Sequence, residues 1–398
     1  MSDQTQQIAP PVGGWLNRNV LGMGVTSFLS DLGHEMATAL LPLFLASIGA
    51  SPAVLGIIEG VADAVSSFVK LGAGWYTDRI GRRKPLVVLG YSLTACKALF
   101  ALATAWPQIL VIRALAWLGR GIRSPLRDAI LAESVPAGAR GRAFGFHRAG
   151  DTLGAIAGPL VALTLVGAGA SYRMVFWISA VPGLLATLAF AMLVQEQRRL
   201  PNHTLRLWQT IGGLPTRFKL FLVGVGVFGI GDFAHTLLTL RAAQVLTPAL
   251  GTAQAGALAV SLYVVHNVFY AGASFPVGAL ADRFGKRGLL ALGYLLAVVM
   301  NLILMAAVPN LAYLGLIFVL GGTVIAIEDA LEGAIAADLL PEEVRGTGYG
   351  VLATVNGLGD FLSSLVVGAL WAGVSPAAGF SYAAVLSLTG ALIIYRLR

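Results

Sequence analysis

The chain has 398 residues, of which 57% are hydrophobic and only 12% are charged. Soluble globular proteins carry roughly 25% charged residues, so this composition excludes a water-soluble fold of this length. The 49 glycines do not indicate disorder, because the aliphatic content is too high for an unfolded segment and glycine is frequent in transmembrane helices. The sequence therefore predicts an all-α integral membrane protein.

A membrane-spanning helix needs about 20 predominantly apolar residues, and twelve such segments follow one another along the chain. In the first half the predicted spans are 19–46, 53–77, 85–104, 107–134, 142–168 and 173–195. In the second half they are 220–245, 254–281, 287–307, 311–340, 346–372 and 377–396. The N-terminus is polar and has no basic region leading into a short apolar core, so we expect the first span to serve as the anchor without a removable signal peptide.

The net charge of +8 would suggest a nucleic-acid partner in a soluble protein, but here its placement matters more, and no nucleic acid is expected. Lysine and arginine crowd the loops on one side of the predicted membrane, counting both termini, whereas Arg173 is alone on the other side. By the positive-inside rule, both termini are predicted to be cytoplasmic in a multi-pass protein of the inner (cytoplasmic) membrane. The single cysteine, Cys96, excludes an intramolecular disulfide.

The two halves of the chain resemble each other at a nearly constant offset. The segment Gly74-Trp-Tyr-Thr-Asp78-Arg79-Ile-Gly81-Arg82-Arg83 recurs 204 positions later as Gly278-Ala-Leu-Ala-Asp282-Arg283-Phe-Gly285-Lys286-Arg287. Three shorter matches keep the same order: Pro136 with Pro341, Arg140-Gly141 with Arg345-Gly346, and Asp31-x-x-His34 with Asp232-x-x-His235. We infer two homologous six-helix bundles, 1–195 and 220–398, joined by a basic cytoplasmic linker at 196–219. Such repeats are typical of secondary transporters, whose substrate site lies at the repeat interface.

The Gly-x-x-x-Asp-Arg-x-Gly-Arg-Arg segment resembles the signature of the major facilitator superfamily, and the resemblance covers essentially the whole chain. It implies the fold of that superfamily, twelve transmembrane helices arranged as two pseudo-symmetric six-helix bundles. It also implies a loop that latches the two halves on the cytoplasmic side, with roles for Asp78, Arg79, Arg82 and Arg83, and in the repeat for Asp282 and Arg283. The alternative is that the arginines only fix the membrane topology.

The fifth predicted span carries Gly150-x-x-x-Gly154-x-x-x-Gly158-Pro159, which is similar to the glycine-rich antiporter motif of the drug-exporting branches. Glycines at four-residue spacing form a smooth stripe that lets another helix approach closely. The match is incomplete at its end, where the motif often continues with a glycine pair. The stripe favours export, and ordinary packing of small residues is the alternative.

Many charged residues fall inside the predicted spans, where each is costly and by default functional. Four arginines share one face of the fourth span: Arg113, Arg120, Arg123 and Arg127. At the repeat offset, the last two correspond to Glu328 and Glu332 of the tenth span. We expect these arginines and glutamates to pair as a gate when the cytoplasmic side closes. Static pairing within each half, for example of Arg127 with an acid of the first half, is the alternative.

The deeper arginines, Arg113 and Arg120, are not explained by that gate. The fork geometry of a guanidinium suits carboxylate or phosphate, so they are candidates for holding an anionic group of the substrate. Equally, they could neutralise Glu59 or Asp63 of the second span.

Four of the five histidines lie in predicted spans: His34, His147, His235 and His266. Asp31, His34 and Glu35 share a face of the first span, and Asp232 and His235 are equivalently placed on the seventh. Carboxylate and imidazole together can relay protons. The pairs Asp31 with His34 and Asp232 with His235 are also candidate ligands for a divalent metal, with His147, Asp151 or His266 completing the shell. A third interpretation is that the histidines form structural hydrogen bonds between helices.

The sequence thus predicts a proton-coupled secondary transporter of a small molecule that works by alternating access and exports its substrate. The interior charges suit either a substrate with separated charges or an anion exchanged for protons. A divalent-metal exporter, similar in outline to ferroportins, is the first alternative, and a non-transporting sensor of the same fold is the second. No nucleotide-binding loop and no catalytic set is recognised, so neither an ATP-driven pump nor an enzyme is expected. We expect a monomer in the lipid bilayer, with protons as the coupling ion and no cofactor.

Overall fold

The computed structural model describes residues 14–50, 52–196 and 201–397, and every regular element in these ranges is helical. The first half comprises α1 (Arg18–Ser47), α2 (Pro52–Ile80), α3 (Lys84–Ala95), α4 (Trp106–Glu133), α5 (Arg140–Gly167) and α6 (Tyr172–Leu193). Helix α3 continues as a 3₁₀ segment over Cys96–Leu102. The linker contains the short helix α7 (Leu207–Gly212). The second half comprises α8 (Thr216–Gly229), α9 (His235–Leu250), α10 (Thr252–Phe284), α11 (Lys286–Met305), α12 (Leu311–Leu339), α13 (Arg345–Gly373) and α14 (Pro376–Arg396).

Twelve spans result when α8 and α9 are counted together. Within the described part of the chain, eight helices are long and apolar enough to cross a membrane by length and composition alone: α3 with its 3₁₀ continuation, α5, α6 and α10 to α14. The remaining long helices, α1, α2 and α4, hold interior charges such as Asp31, Asp63 and Arg120. Charges are not confined to these three helices, since α12 carries Glu328, Asp329 and Glu332.

The seventh predicted span, 220–245, is not one helix. Helix α8 begins already at Thr216 and ends at Gly229, and α9 begins at His235. The sequence pattern missed this break because the small and apolar residues continue through it, whereas α1, its repeat counterpart, is continuous. Broken helices at membrane depth are typical of the binding sites of transporters.

The backbone groups at this break are satisfied by a neighbouring helix. The Ser364 hydroxyl of α13 accepts a hydrogen bond from the N–H of Ala234 (3.1 Å), and the Ser363 hydroxyl donates to the carbonyl oxygen of Asp232 (2.6 Å). An unpaired backbone group costs several kcal/mol in an apolar environment. The two serines therefore allow the chain to unwind at Asp232.

Each half is a bundle in which α1 packs against α5 and α6, and α10 packs against α9 and α12. The halves meet mainly where α2 crosses α13 and where α5 crosses α10, which are equivalent crossings in the two repeats. Short 3₁₀ turns, Ala137–Ala139 and Glu342–Val344, precede α5 and α13 after Pro136 and Pro341. The repeated sequence elements thus occupy repeated positions in the fold.

The glycine stripe of α5 lies against the backbone of α1, inside the first half. A Cβ atom added to each glycine would meet a carbonyl oxygen of α1 at 2.4 to 2.8 Å, as shown by the pairs Gly150 with Gly24, Gly154 with Phe28, and Gly158 with Leu32. Pro159 follows the stripe within the same helix. The three glycines therefore set the distance between α1 and α5.

Gly154→Ala is expected to destabilise the protein, because the new methyl group would lie 2.4 Å from the Phe28 carbonyl oxygen. Overpacking of this kind typically costs about 1 to 3 kcal/mol. Gly167→Ala on the same helix is the matched control, since nothing lies within 4 Å of its Cβ position. The check is the melting temperature of the purified protein in detergent. Equal melting temperatures for the two variants would contradict close packing of α1 on α5.

Candidate substrate and coupling site

One end of the bundle is rich in basic residues that contact acids or backbone groups. This end, called here the basic end, holds Arg83, Arg140, Arg142, Lys286 and Arg345. It is also where the crossings of α2 with α13 and of α5 with α10 bring the two halves together.

The carboxylate of Asp78 ties the two halves together at the basic end. It accepts hydrogen bonds from the N–H groups of Gly346 (3.1 Å) and Thr347 (2.6 Å), and from the Thr347 hydroxyl (2.8 Å). Arg83 donates to the same carboxylate at 2.9 Å. Gly346 and Thr347 lie in the first turn of α13, where N–H groups lack helical partners and the helix dipole favours an anion. Asp78 therefore caps a helix of the opposite half.

Asp282 makes the equivalent contact in the second repeat. It accepts hydrogen bonds from the N–H groups of Gly141 (2.9 Å) and Arg142 (3.0 Å) in the first turn of α5, and from Nε of Arg142 (3.2 Å). Asp78 and Asp282 thus each reach across to the other half and accept hydrogen bonds from backbone N–H groups at a helix N-terminus.

Two ion pairs reinforce the caps. Arg345 lies 3.4 Å from the Glu133 carboxylate, and Arg140 donates to Asp338 at 2.6 Å. Both pairs join the start of a helix in one half to the end of a helix in the other half. The four contacts together form a pseudo-twofold latch, defined by Asp78, Asp282, Glu133 with Arg345, and Asp338 with Arg140.

The arginines of the repeated motif differ in their contacts. Arg83 is buried and bridges Asp78 and Glu133. Burial lowers the pKa of Arg83, but the carboxylates of Glu133 and Asp78 outweigh it and raise the pKa above its ordinary value. Arg79 stacks over Trp75 at 5.5 Å. By contrast, Arg82 is exposed, and no hydrogen bond or salt bridge links it to a described residue.

Arg283, the repeat counterpart of Arg79, is exposed and lies 5.2 Å from the ring centre of Phe284. The resemblance implied latch roles for Arg79, Arg82 and Arg283. In the described part of the structure, none of these three arginines forms an ion pair.

A cavity of about 690 Å³ lies between the two halves. Its described lining includes eight carboxylates, contributed by Asp31, Glu35, Asp128, Asp151, Asp232, Glu328, Asp329 and Asp360. Four cations also line it: Lys70, Arg120, Arg127 and Arg148. All four cations belong to the first half, so the described second-half wall contributes carboxylates without a lysine or arginine.

The cavity separates the predicted site residues into two groups. Six of them line it: Asp31, Glu35, Arg120, Asp151, Asp232 and His235. Four are buried away from it: His34, Arg113, His147 and His266. His147 of α5 forms a hydrogen bond with the Ser27 hydroxyl of α1 (2.7 Å). This contact is a structural hydrogen bond between two helices. The ring of His266 lies near that of His235, with the ring centres 4.6 Å apart and the planes tilted by 58°.

The Nε2 atom of His34 lies near two cations and near one carboxylate, that of Glu35 at 3.6 Å. Lys97 Nζ lies 3.0 Å from His34 Nε2, and Arg120 lies 3.4 Å from the same nitrogen. Lysine and arginine can only donate hydrogen bonds, so Nε2 must be the acceptor and the imidazole is neutral. In this structure His34 therefore holds the two cations in place and does not carry a proton on Nε2.

Trp117 forms the floor of this cationic cluster. Arg113, Lys97 and Arg120 lie 3.6, 4.4 and 5.7 Å from its ring centre, and its indole N–H donates to Asp63 at 2.7 Å. Cations over a tryptophan face are attracted by the ring quadrupole. Arg113 is only 2% exposed, so it supports the cluster from behind, and Arg120 is the member that reaches the cavity.

The arginines predicted to form a gate are paired within their own half. Arg127 binds its neighbour Asp128 at 3.0 Å, and Arg123 contacts Ser30 (2.9 Å) and Asp31 (3.7 Å). The predicted pairs with Glu328 and Glu332 are not formed, although the basic end is closed. The predicted pairing of these arginines with Glu328 and Glu332 is therefore corrected. Equivalent positions on two helices of the repeat do not by themselves bring the side chains within reach of each other.

Glu332 has partners of a different kind. Tyr294 donates to one of its carboxylate oxygens and Asn356 to the other, each at 2.7 Å. Both partners belong to the second half. Glu332 is buried among them, whereas Glu328 lines the cavity.

An ion pair that the sequence did not single out crosses the cavity. Arg148 of α5 lies 3.6 Å from Asp329 of α12 and 3.7 Å from Asp151 of its own helix. The Tyr270 hydroxyl donates to the other oxygen of Asp329. Arg148 and Asp329 were recognisable from the sequence only as charges inside spans, as was Lys97. No sequence signal indicated which of these charges would meet.

Comparison with known proteins agrees with this architecture. The family model of the Major Facilitator Superfamily matches residues 23–244 and 222–398 of this sequence, which together cover almost the whole chain. The chain belongs to the major facilitator superfamily. A solved superfamily structure, the human organic anion transporter, superposes with a TM-score of 0.75 at 17% identity, covering 95% of this chain and 99% of that chain. The twelve-span fold of two six-helix bundles is therefore confirmed.

Two curated relatives extend the comparison within the superfamily. An uncharacterised MFS-type transporter of Methanocaldococcus jannaschii is 32% identical over 381 residues, covering 95% of this chain and 94% of the relative. A protein named as a probable 4-methylmuconolactone transporter, from Cupriavidus pinatubonensis, is 27% identical over 343 residues, covering 82% and 77%. Superfamily membership makes this chain a membrane transporter of small molecules and not an enzyme.

The described residues offer this transporter no metal centre. They contain no group of three or more histidine, cysteine or acidic side chains that could hold a metal ion. Of the proposed ligands, His34 faces Lys97 and Arg120, whose positive charges oppose a bound cation. Asp31 faces Arg123, at 3.7 Å. The paired Asp-x-x-His segments therefore do not assemble a shared site.

Proposed function

We propose that this chain is a proton-coupled secondary transporter that exports a small polar solute by alternating access. The observation that carries the proposal is the acidic wall of the second half, where Asp232, Glu328 and Asp360 line the cavity. None of the three carboxylates forms a salt bridge with a described residue. Like charges in a region of low dielectric repel one another, and a bound proton or a positively charged group relieves the repulsion.

A proton and a positively charged part of the solute would compete for the same carboxylates, so each excludes the other. Exchange of solute for protons follows from this competition. An inward-directed proton gradient then drives the solute outward. The glycine stripe of α5, which is similar to the antiporter motif, supports the same direction.

We infer the membrane orientation from the basic end. Because lysine and arginine mark the cytoplasmic side, we place the basic end and both termini in the cytoplasm of a cell whose inner membrane holds the protein. In this orientation the latch would close the cytoplasmic side, and the structure would correspond to the outward-facing state. Since one chain contains both halves and the whole cavity, the proposal requires only a monomer.

The solute is expected to be polar. The lining has few apolar side chains, such as Pro125, Phe233 and Ile325, among many charged ones. Binding sites for drug-sized apolar molecules are lined predominantly by hydrophobic groups. The name of the Cupriavidus relative, a lactone transporter, supports the transport of small organic solutes over bulky drugs.

The test is proton movement in everted membrane vesicles with an acidified lumen, followed with a pH-sensitive dye. A panel of organic anions, organic cations, zwitterions and divalent metals is added one by one. We expect one class of organic solute to release protons from the lumen of vesicles that contain the wild-type protein. Asp232→Asn and Glu328→Gln are expected to abolish this release, because each removes a carboxylate that exchanges its proton.

Glu343→Gln is the control, since Glu343 is exposed at the basic end outside the cavity. Solute uptake without proton release would contradict coupling. Proton movement in the same direction as the solute would replace antiport with symport. Release triggered only by divalent metals would favour the metal exporter.

A further inference from the structure

We propose that the substrate is a small zwitterion, with its anionic group on Arg120 and its cationic group on Asp232 and Glu328. This inference rests on the proposed function and names the class of solute. It follows from which charges of the cavity are already neutralised within the protein and which are left for a ligand.

Two of the four cations that line the cavity are paired with carboxylates. Arg127 binds Asp128 at 3.0 Å, and Arg148 lies between Asp151 (3.7 Å) and Asp329 (3.6 Å). Their charges are largely balanced inside the protein.

Arg120 differs from these arginines. Its nearest described polar partner is the neutral ring nitrogen of His34 at 3.4 Å, and it forms no salt bridge with a described carboxylate. The ring of Trp117 supports it from behind at 5.7 Å. A guanidinium that lines a cavity and has no salt bridge to a described carboxylate keeps its fork of donors for a carboxylate or phosphate of a ligand.

The opposite wall has the opposite charge. Asp232 lies in the break between α8 and α9, and Glu328 lies on α12. Both carboxylates line the second-half wall of the cavity. Neither makes a side-chain hydrogen bond to a described residue, which leaves their oxygens for a protonated amine.

The two sets of groups belong to different halves. A solute with one charge would be complementary to one half only, whereas a zwitterion contacts Arg120 in the first half and the two carboxylates in the second. Contact with both halves is what alternating access requires of a substrate at a repeat interface. The polar lining and the volume of about 690 Å³ also fit a small charged solute.

The test uses a matched chemical series on the purified full-length protein in detergent. The probes are the linear amino acids from glycine to 6-aminohexanoate, each with its carboxylic acid and its amine of the same chain length. The readout is the concentration that produces half of the maximal shift in melting temperature. We expect one zwitterion to act at a concentration at least about tenfold lower than its matched acid and amine.

Two variants assign the two ends of the solute. In Arg120→Gln the zwitterion should lose its advantage over the amine, and in Asp232→Asn it should lose its advantage over the acid. Lys219→Gln and Glu343→Gln, both at exposed positions, should keep the wild-type ranking.

A matched acid or amine that binds the wild-type protein as tightly as the zwitterion overturns the proposal, and so does the absence of any shift across the series. In either case, proton release by other solutes in everted vesicles would still uphold the proposed antiport. The wild-type ranking does not depend on the folding of any variant.

Discussion

Gly278→Ala is expected to reduce transport strongly by opposing closure of the basic end. The new methyl group would lie 2.0 Å from the carbonyl oxygen of Gly141, where α10 crosses α5. Both sides of this contact are backbone, so no side-chain rotation relieves the clash. Overpacking costs about 1 to 3 kcal/mol in well-packed cores, and about 1.4 kcal/mol changes an equilibrium tenfold. The population closed at the basic end should therefore fall about tenfold or more.

The check is the labelling of a cavity residue from each face of the membrane. In a Cys96→Ala background, Ala353→Cys places a thiol in the cavity, and a membrane-impermeant maleimide is added to inside-out or right-side-out vesicles. With Gly278→Ala, labelling from the face of the basic end should increase. Gly272→Ala on the same helix is the control, because nothing lies within 4 Å of its Cβ position.

The equivalent crossing provides a second pair of variants. A Cβ on Gly74 would lie 2.2 Å from the Gly346 carbonyl oxygen, whereas nothing lies within 4 Å of that position at Gly72. Gly74→Ala should reproduce the effect, and Gly72→Ala should not. Unchanged labelling in both crossing variants would show that the halves do not approach as closely as described.

Asp78→Asn is expected to have the second large effect. The carboxylate accepts four hydrogen bonds, from Arg83, the N–H groups of Gly346 and Thr347, and the Thr347 hydroxyl. Hydrogen bonds to charged groups contribute about 1.5 to 3 kcal/mol each. An amide keeps one acceptor oxygen and turns donors toward the donors of α13, so we expect transport to fall about tenfold to a hundredfold.

The control is the exposed motif residue Arg82. Arg82→Gln should leave transport close to the wild-type level, although the residue belongs to the same repeated motif. The measurements are solute flux in proteoliposomes and the two-sided labelling described for Gly278. An effect of Arg82→Gln as large as that of Asp78→Asn would mean that the motif acts through its overall charge and not through capping of α13.

The fold was predictable because its signals are long and repeated. Apolar segments of spanning length, basic loops and the two copies of the Asp-Arg motif each extend over many residues, and together they define two six-helix bundles. The break at Asp232 was not predictable, since Gly231 and Phe233 also suit a continuous apolar span. What stabilises it is a pair of serines on α13, more than 120 residues away in the sequence.

The site was predictable in its residue types and less so in its pairings. Asp31, Glu35 and Arg120 line the cavity, whereas His34 and Arg113, which share their helix faces, do not. Angular position on one helix could not show that His34 would meet Lys97, or that Arg148 would meet Asp329. Such contacts depend on the height and rotation of two helices relative to each other. The helical periodicity of one segment gives no information about either quantity.

The division of charge between the halves has a consequence for inherited or engineered variation. Interior charges of the first half, such as Arg123 with Asp31 and Arg127 with Asp128, neutralise one another while buried. Removing one member leaves the other uncompensated, which typically costs about 3 to 5 kcal/mol. Such changes will lower the amount of protein that reaches the membrane. Changes at Asp232 or Glu328 leave no stranded partner, so they will yield normal amounts of a protein that no longer transports.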